Sequence, residues 1–298
     1  MPDYICSMAN KLKKIARADK MDLYARINDY FSFLYHKKEN QLFKELDIQK
    51  HYSPIFIVGA PRSGTTLAYQ ILTNSFQVIY IDNLVHLYYS NMLLGMQKCN
   101  HHYKDQPHNT FRSDLGRTYN QHWHAPSECG ILWRSLWDNG SISLSKKIYG
   151  LMNQYKMPFI AKNTNFSIHI NEIKDHFPNA KFIHIKRDPK ENVYSILNAR
   201  KKQFGNYNDW FSVKTPSYTK RNSMSVSQQI VSQVHEIEKH LWKCRKDLDD
   251  SDWLTIEYTD LINGHQKVLE DFSGFVQQDI SLRSAAKSPD IDNSRTGD

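Results

Sequence analysis

The sequence predicts an α/β domain, with a central parallel sheet flanked by helices on both faces. Three observations carry this. Short apolar runs recur at Ile55–Val58, Val78–Ile81, Phe159–Ala161, Phe182–Ile185 and Leu254–Ile256, most of them rich in β-branched residues. Helix-like segments separate them, and strands alternating with helices argue for parallel strands joined by crossovers. The 298 residues, 40% hydrophobic and 23% charged, suit a globular chain able to bury a sizeable core.

Residues 1–50 read as helical, because Leu12, Ile15, Ala16, Leu23, Ile27 and Tyr30 recur at roughly helical spacing among lysines. Such a segment packs on the domain or, as a basic amphipathic helix, lies on a membrane surface. Ile55–Val58 ends at Gly59, and the stretch from Thr65 to about Asn74 predicts a helix. Residues 83–157 are rich in His, Tyr, Trp and Asn without a strand period, which predicts helices and long loops forming a substrate region beside the sheet. Pro158 precedes the third strand, and a helix over 168–177 is stopped by Pro178. Pro189 sits in the first turn of a helix running to about Arg200, where its missing N–H costs nothing. Residues 203–225 read as a loop of functional or disordered kind. A last helix covers about 265–275. From about Ser281 the polar tail is expected to be disordered. The organisation is therefore an N-terminal helical segment (1–50), one domain (51–280) and a tail (281–298).

The 39 basic and 31 acidic residues leave a net charge of +8, which favours anionic ligands or surfaces. No arginine-rich aromatic platform or helix–turn–helix pattern stands out, so nucleic acid is not an expected partner. Cys6, Cys99, Cys129 and Cys244 are scattered, with no C-x-x-C pair. That argues against a zinc ribbon or redox dithiol and for reduced, cytosolic residues. No run of 18 apolar residues predicts a membrane span, and the N-terminus lacks the pattern of a signal peptide. The cytoplasm is the expected compartment.

The most informative stretch is IFIVGAPRSGTTL, residues 55–67. It nearly matches G-x-x-x-x-G-K-[ST], but Thr65 fills the lysine slot and a cation appears three places earlier, as Arg62. A strand ending in a glycine-rich turn that opens a helix presents backbone N–H groups and a helix dipole to an anion. Gly59 and Gly64 let the backbone bend and approach a ligand. Thr65 and Thr66 add hydroxyls, and Arg62 adds a permanent charge. With Pro61 and Ser63, the run P-R-S-G-T-T-L is a phosphate cradle without its usual lysine. No hydrophobic run ends in an aspartate suited to Mg²⁺, which counts against a P-loop kinase or triphosphatase.

This loop resembles that of the sulfotransferase superfamily, which holds the 5′-phosphosulfate of 3′-phosphoadenosine 5′-phosphosulfate (PAPS). Cytosolic small-molecule members usually carry lysine where this chain has Arg62; tyrosylprotein sulfotransferases and many bacterial members are similar to it in carrying arginine. A second match is FIHIKRDPKENVYSILNAR, residues 182–200. Arg187 ends a strand, Ser195 follows eight residues later, and Asp188 and Pro189 match the frequent R-D-P form. The spacing is similar to the superfamily's 3′-phosphate site. Lys162 matches a lysine that ends a strand shortly before F-P-x-A-K-F-I, although Thr164 replaces a common proline. LTIEYTDLI (254–262) resembles a late R-Y-E-D-L segment, with Ile256 in place of arginine. The resemblance spans about 52–280 and does not secure 83–157.

The resemblance implies a P-loop-type three-layer fold. It also implies sulfuryl transfer from PAPS to an acceptor hydroxyl, with Arg62, Lys162 and loop N–H groups stabilising the leaving oxygen and no catalytic metal. The acceptor must lose a proton. Four bases stay open: Asp82, one residue short of the spacing of the tyrosylprotein branch's glutamate; His86, one helical turn on; and His124 and Glu128 in NQHWHAPSECGILW. A metal set of His101, His102, His122 and His124 is not expected, since no second ligand pair sits at helical spacing. Tyr103, Tyr119, Trp123, Trp133, Trp137 and Trp210, with the basic residues, lean towards a saccharide or polysaccharide acceptor, including an anionic one, with small alcohols, amines, lipids and peptide tyrosines left open; the competing reading is that these rings are core. The alternative functions are a non-catalytic nucleotide-binding protein of the same fold, or a P-loop kinase.

Overall fold

The computed structural model describes residues 27–30, 32–103, 106–118, 121–139, 142–276, 280–283 and 286–287, leaving out the side chains of 101–103, 135, 138–139 and 142. The order of elements is α1 (His36–Lys44), β1 (Ile55–Val58), α2 (Thr65–Ser75), α3 (Asn83–Leu87), α4 (Met92–Tyr103), α5 (Gly130–Asn139), α6 (Ile142–Tyr155), β2 (Ile160–Lys162), α7 (Ile170–His176), β3 (Lys181–Lys186), α8 (Pro189–Phe204), α9 (Val226–Arg245), β4 (Trp253–Glu257), α10 (Tyr258–Asn263) and α11 (His265–Val276). The strands form one sheet in the order β2-β1-β3-β4, parallel throughout. The predicted α/β class with a helix-flanked parallel sheet is observed.

Every residue of β1 is buried, as expected of a strand covered on both faces. Its side chains alternate between two cores. Phe56 joins Trp133, Phe166, Phe177 and Phe182 on one side, with ring centroids 5.2–6.1 Å away. Ile55 and Ile57 join Leu67, Ile71 and Leu72 of α2 and Val268 and Phe272 of α11 on the other. Full burial of such side chains stabilises the fold by about 1.5–3 kcal/mol each.

From β1 the chain goes to β2 on one side, and from β3 to β4 on the other. The carboxyl ends of β1 and β3, paired through Val58 and His184, thus form the topological switch point where open α/β sheets bind ligands. The loops after these strands begin at Gly59 and Arg187.

Several expectations change in detail. Val78–Ile81 is not a strand of the sheet. Only Ile79 bridges Phe159, because its neighbours bond elsewhere: Gln77 N–H to Ser281 O at 2.9 Å and Ser127 N–H to Ile81 O at 2.8 Å. The loop expected over 203–225 is shorter, since α8 runs to Phe204 and is closed by left-handed Gly205, and Pro216–Ser223 forms a 3-10 helix. Most of the N-terminal positions that predicted a helix, Leu12 to Leu23, lie outside the described residues, as does any membrane contact they would make. The described part packs on the domain: buried Glu39 pairs with Lys147 at 2.6 Å and accepts from Leu94 N–H at 3.0 Å. The tail is not free at its start. Leu282 bridges Phe76, and buried Arg283 donates through Nε to Phe76 O at 2.9 Å. Positions 288–298 lie outside the described residues.

The longest described helix, α9, had no counterpart among the predicted elements. Its signals are in the sequence: a capping box joins Ser225 and Gln228, and Ile230, Val234, Ile237 and Leu241, all buried, form one helical stripe. Ser225→Ala is expected to cost about 1 kcal/mol of stability, measured as a lower denaturation midpoint with an unchanged slope. No helix among the described residues is long and apolar enough to cross a membrane.

Candidate active site

A cleft of about 880 Å³ opens at the switch point. Its floor is the loop after β1. At Gly59 (φ 152°) an added Cβ would lie 2.6 Å from Ile185 O, so the strand can turn off β3 only as glycine. Gly59 N–H and O both bond the Ser167 hydroxyl, each at 2.9 Å. Asn192 donates to Pro61 O at 2.7 Å and Arg187 to Arg62 O at 3.0 Å. These bonds, all from outside the loop, hold Arg62 in the left-handed region at φ 67°. Gly64 is the N-cap of α2 and has no side chain to cap it. The first N–H groups of α2 therefore keep their donor capacity, in the field of the helix dipole.

The arginines converge. Arg62 Nε donates to Ser195 Oγ at 3.2 Å. Burial, and secondly Arg187, lower the Arg62 guanidinium from its ordinary pKa. Arg187 lies 4.2 Å from the centre of the Tyr258 ring and bonds Glu191 at 3.2 Å. Two cations held together near a bare helix N-terminus form a site for an anion with more than one charge.

A second cluster lies beside the loop. Lys162, buried at the end of β2, donates from Nζ to Thr66 Oγ1 at 3.0 Å and pairs with Glu128 Oε1. The turn 114–117 crosses over this trio. Asp114 and Arg117 exchange backbone bonds of 2.8 and 2.9 Å, and both central residues, Leu115 and Gly116, have positive φ. A Cβ on Gly116 would come within 3.2 Å of Glu128 Oε1 and 3.3 Å of Thr66 Oγ1. Arg117 bonds Gln203 at 3.2 Å and Lys202 bonds Asp114 at 3.3 Å, so the turn is strapped across the cleft to α8.

Of the residues singled out from sequence, Pro61, Arg62, Gly64, Thr65, Thr66, Lys162, Arg187, Ser195, Glu128 and His86 line the cleft. Ser63 does not: it turns beneath the loop, and its buried hydroxyl has no hydrogen-bond partner among the described residues. Asp82 and His124 do not reach the cleft either. Asp82 is fully buried, caps α3 by accepting from Val85 N–H at 2.7 Å, and bonds Cys99 and His124. Burial and then Asp82 push the Cys99 thiol far above its ordinary range. His86 faces the cleft with Nδ1 2.8 Å from Ser127 Oγ. The side chains of His101 and His102 lie outside the described residues, and His122 is exposed.

Among the described residues the rings are mostly structural; the side chain of Tyr103, and Tyr119, lie outside them. Trp133 packs on Phe56, Phe159 and Phe166, and Trp137 stacks on His169 at 4.5 Å. Trp210 donates to Val213 O at 2.8 Å. None of these three, nor Trp123, lines the cleft. What sequence reasoning missed is the 114–117 strap and Tyr258. Gly116 was the one available signal for the strap, since a left-handed two-residue turn favours glycine.

A family model described as "Sulfotransferase family" matches residues 54–278. No curated protein matches. Among solved structures, the sulfotransferase STF9 from Mycobacterium avium is similar with a TM-score of 0.54 and 11% identity, covering 83% of this chain and 68% of that one. The sulfotransferase STF1 from Mycobacterium tuberculosis H37Rv gives a TM-score of 0.47 and 15% identity, over 81% and 71%. The first likeness shows a shared fold. The family model spans the sheet, the loop after β1 and the cleft, and by that match the chain belongs to the sulfotransferase family, whose enzymes transfer sulfuryl groups.

Proposed function

We infer that the chain transfers the sulfuryl group of PAPS to an acceptor hydroxyl. The observation that carries this reading is the meeting of Arg62, Arg187 and Ser195 beside the uncapped start of α2, with Lys162 and Thr66 next to them. The residues fit such a donor: one anion would face the loop N–H groups and a second would come within reach of Arg187 and Ser195. The bound donor supplies an activated sulfur. Arg62 and the N–H groups of Thr65 and Thr66 hold its 5′-phosphate, and Arg187 with Ser195 hold the 3′-phosphate. Lys162 stabilises the bridging oxygen as the sulfur–oxygen bond to phosphate breaks and its electron pair leaves with 3′,5′-ADP. Glu128 takes the acceptor proton as the new sulfur–oxygen bond forms. Asp82 and His124, without access to the cleft, are not given that role. His86 is the rival, because it also faces the cleft.

The acceptor side is the wall made by 83–157, with the strap above it. A saccharide hydroxyl remains the acceptor we favour. Its support is the polar, basic rim at Arg117 and Lys202, not the tryptophans. The cytoplasm is the compartment we assign, on the free thiols of Cys99, Cys129 and Cys244.

Calorimetric titration with 3′,5′-ADP, against 5′-ADP and Mg·ATP, tests the reading. Tight binding of 3′,5′-ADP is expected, weakened at least tenfold by Arg187→Ala, about 1.4 kcal/mol. Equal or tighter binding of Mg·ATP would overturn it in favour of a kinase.

A further inference from the structure

The cleft holds more positive charge than its donor end accounts for. Arg62, Arg117, Lys162, Arg187 and Lys202 line it, against a single carboxylate, Glu128. Arg62 and Arg187 meet at the loop after β1, and Lys162 pairs with Glu128 beside Thr66. Lys202 is answered by Asp114, 3.3 Å away. Arg117 has no such answer. Its Nη2 donates to the neutral Gln203 at 3.2 Å, and among the described residues it pairs with no carboxylate.

Arg117 also stands apart from the donor residues. Gln203 lies eight residues beyond Ser195 on α8, about 12 Å further along the helix axis. The residue before Arg117 passes over the groups assigned to transfer: a Cβ on Gly116 would come within 3.2 Å of Glu128 Oε1, 3.3 Å of Thr66 Oγ1 and 3.9 Å of Lys162 Nζ. A chain that crosses those groups and then reaches α8 sets the guanidinium beyond them, away from the arginines of the donor loop.

The strap holds Arg117 firmly. Its N–H bonds Asp114 O at 2.9 Å, and its O accepts from Asp114 N–H at 2.8 Å. The next residue, Thr118, is buried; its O accepts from Asn83 at 3.0 Å and its hydroxyl donates to Pro126 O at 2.5 Å. Gln203 then aims the guanidinium while taking only one of its N–H donors. A cation fixed by neutral groups is preorganised for a carboxylate or sulfate, which it can take through paired N–H donors.

We propose that the acceptor is an acidic saccharide, and that Arg117 selects it by binding a carboxylate or sulfate group next to the reacting hydroxyl. This rests on the sulfotransferase reading above and narrows it. A neutral sugar would leave the half-buried Arg117 charge without a counter-charge in the closed complex, which disfavours it. Asn198, one turn before Lys202 on α8, also lines the cleft and offers an amide to the sugar's hydroxyls.

The test is calorimetric titration of the full chain with two matched pairs: oligogalacturonate and its methyl ester, and sulfated and unsulfated dextran oligosaccharides. Each is titrated at saturating 3′,5′-ADP, so that the donor end is filled and a preference for charge reports on the rest of the cleft. The charged member of at least one pair is expected to bind about tenfold tighter or more than its neutral partner; which pair shows this tells carboxylate from sulfate. Arg117→Gln should remove the preference and leave 3′,5′-ADP affinity as it was, and Arg117→Lys should keep part of it. Lys214→Gln, which removes the same charge from an exposed position outside the cleft, should change neither. Equal binding of charged and neutral forms by the native protein, or binding of none of them, would overturn the proposal without any variant having to fold. So would an undiminished preference in Arg117→Gln, or an about tenfold loss of its 3′,5′-ADP affinity, which would give Arg117 to the donor instead. Failure of the native protein to bind 3′,5′-ADP appears in its own titration and counts against the donor reading; the same saccharide pairs without nucleotide then still decide whether Arg117 reads the charge.

Discussion

Glu128→Gln is expected to lower kcat by about 10²–10⁴-fold while 3′,5′-ADP binds as tightly as before or more tightly. The two halves of this result come from one contact. Glu128 lines the cleft and pairs with Lys162, the residue we assign to the leaving oxygen. The pair neutralises two groups to which we assign different atoms during transfer. On that assignment, donor binding draws Lys162 away from the carboxylate and frees it for the acceptor hydroxyl. Glutamine keeps the shape and removes the charge. It therefore lowers the cost of releasing Lys162, and it cannot accept a proton. Lys162→Ala separates the roles: it should lower kcat as well, but with weaker 3′,5′-ADP binding. His86→Asn is the decisive comparison. A larger loss of kcat in that variant than in Glu128→Gln would move the base to His86 and leave Glu128 as the partner of Lys162. Unchanged turnover in both would remove both from the chemistry.

The two motifs to which we assign the donor could be found in the sequence because each of them is local. Gly59 to Thr66 is one strand–turn–helix, and Arg187 to Ser195 is another, so their internal geometry follows from spacing alone. That the two motifs meet requires only that β1 and β3 be neighbours, and the alternating pattern suggested a parallel sheet. The wall to which we assign the acceptor was not legible, for a physical reason. Whether a residue between 83 and 157 faces the cleft or the core is decided by partners far away in sequence. Asp82 looked well placed at a strand end, yet Cys99 and His124 bury it. Glu128 was one of four open candidates for the base, and it is its pairing with Lys162, far away in sequence, that holds it in the cleft. Val78–Ile81 had the composition of a strand, but Ser127 and Ser281 took the backbone groups that a sheet neighbour would have bonded. Helix α9 is the opposite case, since its cap and its apolar stripe were both present to be read.

Gly64→Ala is expected to damage both stability and donor binding, and two other glycines show why. An added Cβ at Gly64 would lie 2.5 Å from Cδ2 of Tyr258, at φ 102°. Gly205 shares the left-handed backbone, at φ 76°, but an added Cβ there meets nothing within 4 Å. Gly264 also has open space and no left-handed φ. Gly264→Ala should therefore be close to neutral. Gly205→Ala should cost about 1–2 kcal/mol, the backbone term alone. Gly64→Ala should carry that term plus about 1–3 kcal/mol of overpacking, because the neighbour is a ring on the first residue of α10 rather than the end of a flexible chain. Tyr258 lies under the Arg187 guanidinium, so displacing the ring moves the cation assigned to the 3′-phosphate. The measurable consequence is at least a tenfold loss in 3′,5′-ADP affinity, about 1.4 kcal/mol, in Gly64→Ala and none in Gly205→Ala. If Gly64→Ala binds normally at a temperature where it is folded, Tyr258 yields without taking Arg187 with it. The stacking would then be packing of the cleft wall, and the position of Arg187 would be owed to its bond with Arg62 O.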